Sequence, residues 1–178
     1  MRIIAGTARR TKLVAPMGLA TRPTSDMAKE NLFNIIGTQI RSAAFLDLFC
    51  GSGAIGLEAL SRGASEAILV DNCKNAIAAA QQNITKTKLS ATLLQLPAQV
   101  ALDKLQAAGH HFDIIFLDPP YDSNLLEETL STIASSTLLA PGGTVIAETD
   151  INIQIPTRLQ LTDKRKYGRI SFLFMEAA

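Results

Sequence analysis

Short apolar runs alternate with longer amphipathic segments along most of the chain. An apolar run of about four to eight residues that ends in turn residues is typical of a buried strand. Such runs occur at residues 44–49, 66–71, 91–96, 112–118 and 144–149. Helix-favouring segments separate them, at residues 54–62, 73–86, 98–108 and 124–133. This alternation predicts a parallel sheet with helices on both faces.

The N-terminal part of the chain adds elements before the first of these strands. The segments RIIAG and KLVAP, at residues 2–6 and 12–16, predict a small hairpin. Residues 26–36 have the apolar spacing of an amphipathic helix. Its sheet-facing residues would be Leu32, Phe33 and Ile36, and its cap Thr24 or Ser25.

The C-terminal part predicts a change of strand direction. The segment LLAPGG, at residues 138–143, indicates a turn into the strand at 144–149. Beyond it, Gly168 separates two strand-like runs at residues 159–166 and 169–175, which predicts an antiparallel hairpin. The predicted fold is therefore α/β, with a mostly parallel seven-stranded sheet, a terminal antiparallel hairpin and a small N-terminal extension.

Length and composition fit one domain that has its own core. The chain has 178 residues, of which 47% are hydrophobic and 19% charged. We expect a single domain over residues 1–178, with an extension at 1–40 and a catalytic core at 41–178. No apolar run is long enough to span a bilayer, so no membrane association is expected. Cys50 and Cys73 lack the spacing of a disulfide framework or a zinc site, which favours reduced thiols, the cytoplasm and no metal.

The net charge of +1 hides an uneven distribution. Residues 1–30 carry six basic and two acidic side chains, and residues 158–169 carry five basic and one acidic. The remainder of the chain is therefore acidic. Two basic ends around an acidic middle are compatible with a polyanionic partner, and equally with ordinary solvated charge.

A glycine-rich segment lies between the first strand and the first core helix. Gly51, Gly53 and Gly56 have the G-x-G-x-x-G spacing of a dinucleotide site, and Asp71 lies twenty residues beyond Gly51, at the tip of the next strand. An acid at that tip binds ribose hydroxyls, which NAD and S-adenosylmethionine share. Asp47 distinguishes the two, because a carboxylate opposes a pyrophosphate but suits the ammonium and sulfonium of S-adenosylmethionine. The alternative is that Asp47 only caps the turn.

The motif DPPY, at residues 118–121, follows the fourth predicted strand. Its two prolines end the strand, stiffen the chain and remove two backbone donors. The exposed groups are then carbonyls and the Asp118 carboxylate, beside the ring of Tyr121. Such an acceptor site suits a planar nitrogen base that carries an exocyclic amine.

Five segments together resemble one family. They are MRIIAG, RPTSDMAKENLFNII, DLFCGSGAIGLEALSRGA, DPPY and KYGRISF, in this order along the chain. The chain resembles the RsmD-type bacterial enzymes, which methylate the N2 amine of one guanine in small-subunit (16S) ribosomal RNA. The resemblance covers nearly the whole chain. It implies a Rossmann-like class I methyltransferase fold and S-adenosylmethionine as the cofactor.

The resemblance also implies roles for particular residues and for a partner. The cofactor would be held by Asp47, Phe49, Gly51, Ser52, Gly53, Gly56, Asp71, Asn72, Pro97, Ala98 and Asp118. The catalytic motif would be Asp118, Pro119, Pro120 and Tyr121, which takes the guanine. The RNA-binding residues would be Arg9, Arg10, Lys12, Arg22 and Thr24. The partner would be ribosomal RNA or the small ribosomal subunit. The protein would bind it as a monomer, with the N-terminal extension near the substrate.

Two positions depart from the family's pattern. After the third strand such enzymes usually carry an acid–alanine pair, whose acid accepts a hydrogen bond from the adenine amine. This chain has Leu96-Pro97-Ala98 there, so we expect adenine to be held by packing and by the Ala98 amide, with weaker cofactor affinity. A basic residue is also commoner at Met27 or Ala28, so the predicted RNA-facing helix carries less positive charge.

Two other functions share some of these features. A DNA adenine or cytosine amino-methyltransferase also carries the DPPY motif, but usually adds a separate target-recognition region for which 178 residues leave no room. A non-catalytic nucleic-acid-binding module is suggested by the proline at the adenine position.

Overall fold

A computed structural model describes residues 1–18, 26–120 and 124–178, and within them one sheet of seven strands carries five α-helices. The strands are β1 (Ala44–Asp47), β2 (Glu66–Asp71), β3 (Thr92–Gln95), β4 (Phe112–Leu117), β5 (Leu139–Thr149), β6 (Leu159–Tyr167) and β7 (Ile170–Ala177). The helices are α1 (Asp26–Ile36), α2 (Ala54–Ser61), α3 (Lys74–Thr87), α4 (Ala98–Ala107) and α5 (Leu125–Ser135).

The strand order is β3-β2-β1-β4-β5-β7-β6. The first five strands in this order pair in parallel, and β7 pairs antiparallel with both β5 and β6. The order reverses between β1 and β4, and ligands of such sheets bind outside the carboxyl ends of the strands at that point. The predicted mostly parallel sheet with a terminal antiparallel hairpin is confirmed.

Helices cover both faces of the sheet. On the face that we name the front face, α1, α2 and α3 pack against alternate strand residues such as Phe45 and Ile114. On the back face, α4 and α5 pack against the intervening residues of the same strands, such as Leu46 and Ile115. No helix in the described part of the chain has both the length and the apolar character needed to cross a membrane.

The prediction for β5 was wrong at its start. The LLAPGG segment does not precede the strand, because β5 begins at Leu139. Phe112 pairs with Leu139, and Ile114 then pairs with Thr144, so residues 140–143 form a bulge within the strand. Gly142, with a φ of +74°, gives the backbone the left-handed conformation that such a bulge requires. The other predicted boundaries differ from the structure by only one or two residues.

The N-terminal segment forms a less regular hairpin than predicted. Its only described ladder contact is one antiparallel bridge between Arg2 and Lys12. The backbone amides of Ile4 and Ala5 instead donate to the two carboxylate oxygens of Glu58 on α2, at 2.8 and 3.0 Å. The two arms also exchange backbone hydrogen bonds, from the Ile3 amide to the Thr11 carbonyl at 3.0 Å and from the Leu13 amide to the Met1 carbonyl at 3.2 Å. The segment is therefore held by a helix side chain as well as by its own pairing.

A buried ion cluster completes this attachment. Glu58 is fully buried and lies 3.2 Å from the ammonium of Lys29, on α1, and 2.7 Å from Nε of Arg62. Lys29 also donates to the carbonyl of Arg2. A Cβ at Gly6 would lie 1.6 Å from the Ser61 carbonyl oxygen, so only glycine permits this close approach.

The predicted helix at residues 26–36 is confirmed as α1, with Leu32, Phe33 and Ile36 buried in the front-face core. Its predicted caps, Thr24 and Ser25, lie outside the described residues.

Candidate active site at the carboxyl edge of the sheet

Four carboxylates follow one another along the carboxyl edge of the sheet, and we name them the acidic row. They are Asp71 on β2, Asp47 on β1, Asp118 directly after β4 and Glu148 on β5. Side chains alternate along a strand, and the residue two positions before each of these carboxylates belongs to the front-face core. The four carboxylates therefore lie on the front face. Asp47 and Glu148 are 1% and 4% exposed. The edge therefore concentrates carboxyl groups in a poorly hydrated place.

This environment shifts the acidity of the two central carboxyl groups. Burial raises the pKa of Asp47 to about 7, and the Asp71 charge adds to this, against the effect of a hydrogen bond from the Gly56 amide. Burial, together with the charges of Glu148 and Asp47, raises the pKa of Asp118 well above its usual range. A cationic ligand would relieve this repulsion, whereas an anionic one would add to it.

The glycine loop is held by two members of the acidic row. Asp47 Oδ2 accepts a hydrogen bond from the Gly56 amide at 3.0 Å, and Asp71 Oδ2 accepts one from the Gly51 amide at 2.9 Å. Gly53 precedes α2 in a left-handed conformation and provides no side-chain cap. Asp47 thus stabilises the first turn of α2, as the capping alternative proposed, while lying in the row that faces the site.

Gly56 is required for a reason of space. A Cβ there would lie 2.1 Å from Cδ2 of Leu69, on β2, so a side chain at this position would displace this buried leucine. The third glycine of the motif therefore allows close packing of helix on strand, which is its role in dinucleotide-type loops.

Asp71 joins the glycine loop to the next helix. Its second oxygen, Oδ1, accepts a hydrogen bond from the Cys73 amide at 2.8 Å, at the start of α3. Each carboxylate oxygen accepts two hydrogen bonds, so both oxygens keep capacity for a ribose hydroxyl. Asn72 is exposed beside it, at the same strand end.

Pro97 and Ala98 lie at the start of α4, beyond the end of β3. The Leu96 amide donates to the Asp71 carbonyl at 3.1 Å, which brings this turn next to the ribose position that the sequence predicts. Pro97 precedes the first turn of the helix, and the Pro97 carbonyl accepts from the Ala101 amide at 3.0 Å. First-turn amides have no acceptor within their own helix, so the Ala98 amide suits a ring nitrogen of adenine.

An open cavity lies beside the DPPY motif. Pro119 and Pro120 form one side of it, Glu148 and Thr149 of β5 another, and Ile151 lies at its rim. Tyr121 lies outside the described residues, so its position relative to the cavity stays a prediction. The cavity shares Glu148 with the acidic row.

Asn83 is a site residue that the sequence prediction missed. Its buried amide donates to the carbonyls of Ser52 in the glycine loop and Val14 in the N-terminal segment, both at 2.9 Å. It also accepts from the Val14 amide at 2.7 Å. The signal in the sequence is a single Asn on the otherwise apolar stripe of α3, with Ala76 and Ala80.

The turn that carries Arg9 and Arg10 lies away from this edge, and their RNA-binding role stays a prediction. The Ala8 amide donates to Ser61 Oγ at 3.0 Å, so the turn that carries both arginines lies at the C-terminal end of α2. That end leads to the amino edge of the sheet, and an eight-residue helix is about 12 Å long at 1.5 Å per residue. Arg22 and Thr24 lie outside the described residues.

Within the three described ranges, no group of three or more His, Cys, Asp or Glu side chains is arranged to hold a metal ion. The acidic row thus extends along the edge without converging on one point.

Comparison with known proteins identifies relatives over the whole chain. The family model described as Conserved hypothetical protein 95 matches residues 1–176. Ribosomal RNA small subunit methyltransferase D of Haemophilus influenzae is 34% identical, over 97% of this chain and 91% of that protein. The Escherichia coli K12 protein of the same name is 39% identical, over 88% of this chain and 78% of that protein.

A solved structure agrees with these relatives. A hypothetical protein of Thermus thermophilus has 31% sequence identity and a TM-score of 0.86, and the match covers 98% of each chain. The chain therefore belongs to the Conserved hypothetical protein 95 family, which includes Ribosomal RNA small subunit methyltransferase D, and it has the Rossmann-like class I methyltransferase fold.

Proposed function

We propose that this protein transfers a methyl group from S-adenosylmethionine to the exocyclic N2 amine of a guanine in small-subunit (16S) ribosomal RNA. The observation that carries the proposal is the acidic row, of which Asp71 and Asp47 hold the glycine loop and Glu148 lines the cavity beside Pro119 and Pro120. Relatives that match most of the chain bear the name of a small-subunit ribosomal RNA methyltransferase.

The residues present fit S-adenosylmethionine better than NAD. A pyrophosphate beside Asp47 would place negative charge next to a buried carboxyl group whose pKa burial already raises to about 7. The cationic methionine part would instead be held by Asp47 and the glycine loop, the ribose by Asp71, and the adenine by the Ala98 amide. When bound, S-adenosylmethionine supplies a methyl group that is activated by its sulfonium.

The protein's own contribution is to place the guanine amine and to accept its proton. The lone pair of this amine is delocalised into the ring, so the amine is a poor nucleophile. Asp118 and the Pro119 carbonyl accept its two hydrogens, which turns the lone pair toward the methyl group. Fixed orientation of two reactants contributes about 7–11 kcal/mol, so no strong base is needed. Asp118 would take the proton that the amine loses when it receives the methyl group.

The base reaches this cavity only outside a helix. An atom on a base edge is inaccessible within a stacked duplex, so the target nucleotide is unpaired or turned out of its helix when it reacts. We further propose that the protein acts in the cytoplasm as a monomer, on ribosomal RNA or the small ribosomal subunit.

The test is to map the methylated position. Small subunits and naked 16S RNA from cells that lack the gene are incubated with the protein and radiolabelled S-adenosylmethionine, and the product is digested for mass spectrometry. N2-methylguanosine at one position is the expected result. Methylation of DNA adenine or cytosine instead would support the DNA enzyme, and cofactor binding without transfer to any nucleic acid would support the non-catalytic module.

A further inference from the structure

The β6–β7 hairpin ends at the same edge of the sheet as the active site. Because β7 is antiparallel to β5, Ser171 near its start pairs with Thr149 at the end of β5. Lys166, near the end of β6, pairs with the same Ser171. The turn between the two strands, at residues 168–169, therefore lies at the carboxyl edge, beside the cavity that Thr149 lines.

This hairpin end carries a cluster of exposed cations. Lys164, Lys166 and Arg169 are exposed, and we name these three residues the basic tip. Arg165 lies between them in sequence but pairs with Asp163 at 2.7 Å. Adjacent strands are about 4.8 Å apart, so the two spacings from β5 to β6 put the backbone at Lys166 about 10 Å from Thr149 of the cavity wall. Phosphates adjacent to a nucleotide in the cavity fall within this distance and the reach of a long side chain.

The charge along the edge therefore changes sign from one strand to the next. The ends of β2, β1, β4 and β5 carry the acidic row, and the hairpin of β7 and β6 carries the basic tip. The acidic row suits a cationic cofactor but repels the phosphates of a nucleic acid. A substrate whose base enters the cavity beside the DPPY motif needs cations next to that cavity. Lys164 and Lys166 pair with Leu173 and Ser171, so they lie on the same side of the sheet as Thr149 of the cavity, and the basic tip is the described cluster at these strand ends.

The hairpin is fixed to the strand that leads to Asp118. The ring of Tyr167 contacts that of Phe172, on β7, with 5.9 Å between their centroids. Phe172 contacts Phe116, on β4, at 6.4 Å, and Phe116 precedes Asp118 by two residues. Gly168, with a φ of +64°, allows the short turn that joins β6 to β7. The tip is thus held in one position relative to the reacting centre.

We propose that the basic tip binds the phosphate backbone of the RNA next to the methylated nucleotide. The inference rests on the proposed function, since it takes RNA as the substrate. The other explanation of these charges is protection of β6, an edge strand, against pairing with another chain. The two explanations differ in what happens to RNA binding when the charges are removed.

The experiment removes the three charges and measures RNA affinity as a function of salt. The variant carries Lys164→Gln, Lys166→Gln and Arg169→Gln, and the matched control carries Lys86→Gln, Lys88→Gln and Lys104→Gln, three exposed lysines near the C-terminal ends of α3 and α4. Each phosphate contact adds a slope of about −0.7 to log affinity against log salt for single strands, so the variant should flatten the slope by about 2. The control should match the wild-type protein, and both should bind S-adenosylhomocysteine as the wild type does.

A variant with wild-type RNA affinity and slope overturns the proposal, and if it also self-associates by light scattering, edge protection is the role. The single change Arg169→Gln leaves both β6 lysines in place, and should flatten the slope by about 0.7 without self-association. Failure of the proposed function has a different signature, because then the wild-type protein itself transfers no methyl group to RNA.

Discussion

Two basic regions of this chain have the same net charge but lie toward different edges of the sheet. Residues 1–30 and residues 158–169 each carry four more basic than acidic side chains. In the structure, the turn with Arg9 and Arg10 lies by Ser61 at the C-terminal end of α2, toward the amino edge of the sheet. The basic tip lies at the carboxyl edge, beside the cavity. Equal charge therefore does not indicate an equal role, because the direction of the adjoining helix or strand decides which edge the charge reaches.

The two regions also differ in how they are held. The N-terminal segment is fixed by a buried ion cluster around Glu58, whereas the β6–β7 hairpin is fixed by backbone pairing and by an aromatic contact. Cations near a helix C-terminus are favourable to that helix, so part of the N-terminal charge has a structural explanation in the α2 dipole. Four predictions test these differences, beginning with the largest effect.

The first prediction concerns the reacting centre, relative to which the two basic regions are compared. Asp118→Asn removes the carboxylate that holds and deprotonates the amine, and should lower the rate of methyl transfer by about 10²–10⁴-fold. Single-turnover kinetics with RNA would measure this, and the affinity for S-adenosylhomocysteine should stay within a few-fold. Asp103→Asn, the same change at an exposed position on α4, is the control. An unchanged rate for Asp118→Asn would mean that the base is held elsewhere.

The second prediction concerns the attachment of the N-terminal segment. Glu58→Gln leaves the buried Lys29 without its charged partner, and should lower the free energy of unfolding by about 3–5 kcal/mol. Chemical denaturation would measure it, with Glu66→Gln at an exposed strand position as the control. A loss no larger than that of the control would show that the N-terminal segment is held mainly by its apolar contacts.

The third prediction concerns Asp47, a member of the acidic row, which lies between the two basic regions. Because the pKa of Asp47 is raised to about 7, its ionisation costs stability as the pH rises from the unfolded value toward 7. Asp47→Asn keeps an acceptor for the Gly56 amide and removes this cost. Its gain in unfolding free energy should be about 2–3 kcal/mol larger at pH 8 than at pH 5, at about 1.4 kcal/mol per pKa unit.

Asp47→Asn should stabilise the protein but weaken its selectivity for the cofactor. Without the Asp47 carboxylate, the preference for cationic S-adenosylmethionine over neutral-sulfur S-adenosylhomocysteine should fall, as calorimetry at pH 8 would show. A stability gain that is equal at both pH values would indicate that Asp47 is ionised without cost in the folded protein.

The fourth prediction is the smallest effect and bears directly on the comparison. Arg9→Ala and Arg10→Ala together should change the salt slope for a short RNA around the target guanine by less than about 0.7, the value of one contact. The substitutions in the basic tip should change it by about three times as much. If the N-terminal variant flattened the slope as strongly, the RNA would extend along α2 to the amino edge, and both regions would bind it.

Several features of the fold and site could be predicted from the sequence because they depend on local pattern. Apolar runs and helical spacing identified every strand and α-helix described above to within a few residues, except for the start of β5. There, LLAPGG has the composition of a turn, but pairing with Phe112 draws Leu139 into the strand and leaves the turn residues as a bulge. Local composition indicated the bend correctly. That β5 begins before this bend depends on its pairing with β4.

What the sequence by itself determined is the alternation of strands and helices and the chemistry at strand ends: the glycine loop, Asp47, Asp71 and the DPPY motif. These groups act close to where they stand in the chain. The tertiary structure alone decided that Glu148 and Asn83 join the site, and that the second basic segment rather than Arg9 and Arg10 lies beside it. Such contacts join residues far apart in sequence, and they depend on the direction and pairing of whole elements, which no short pattern contains.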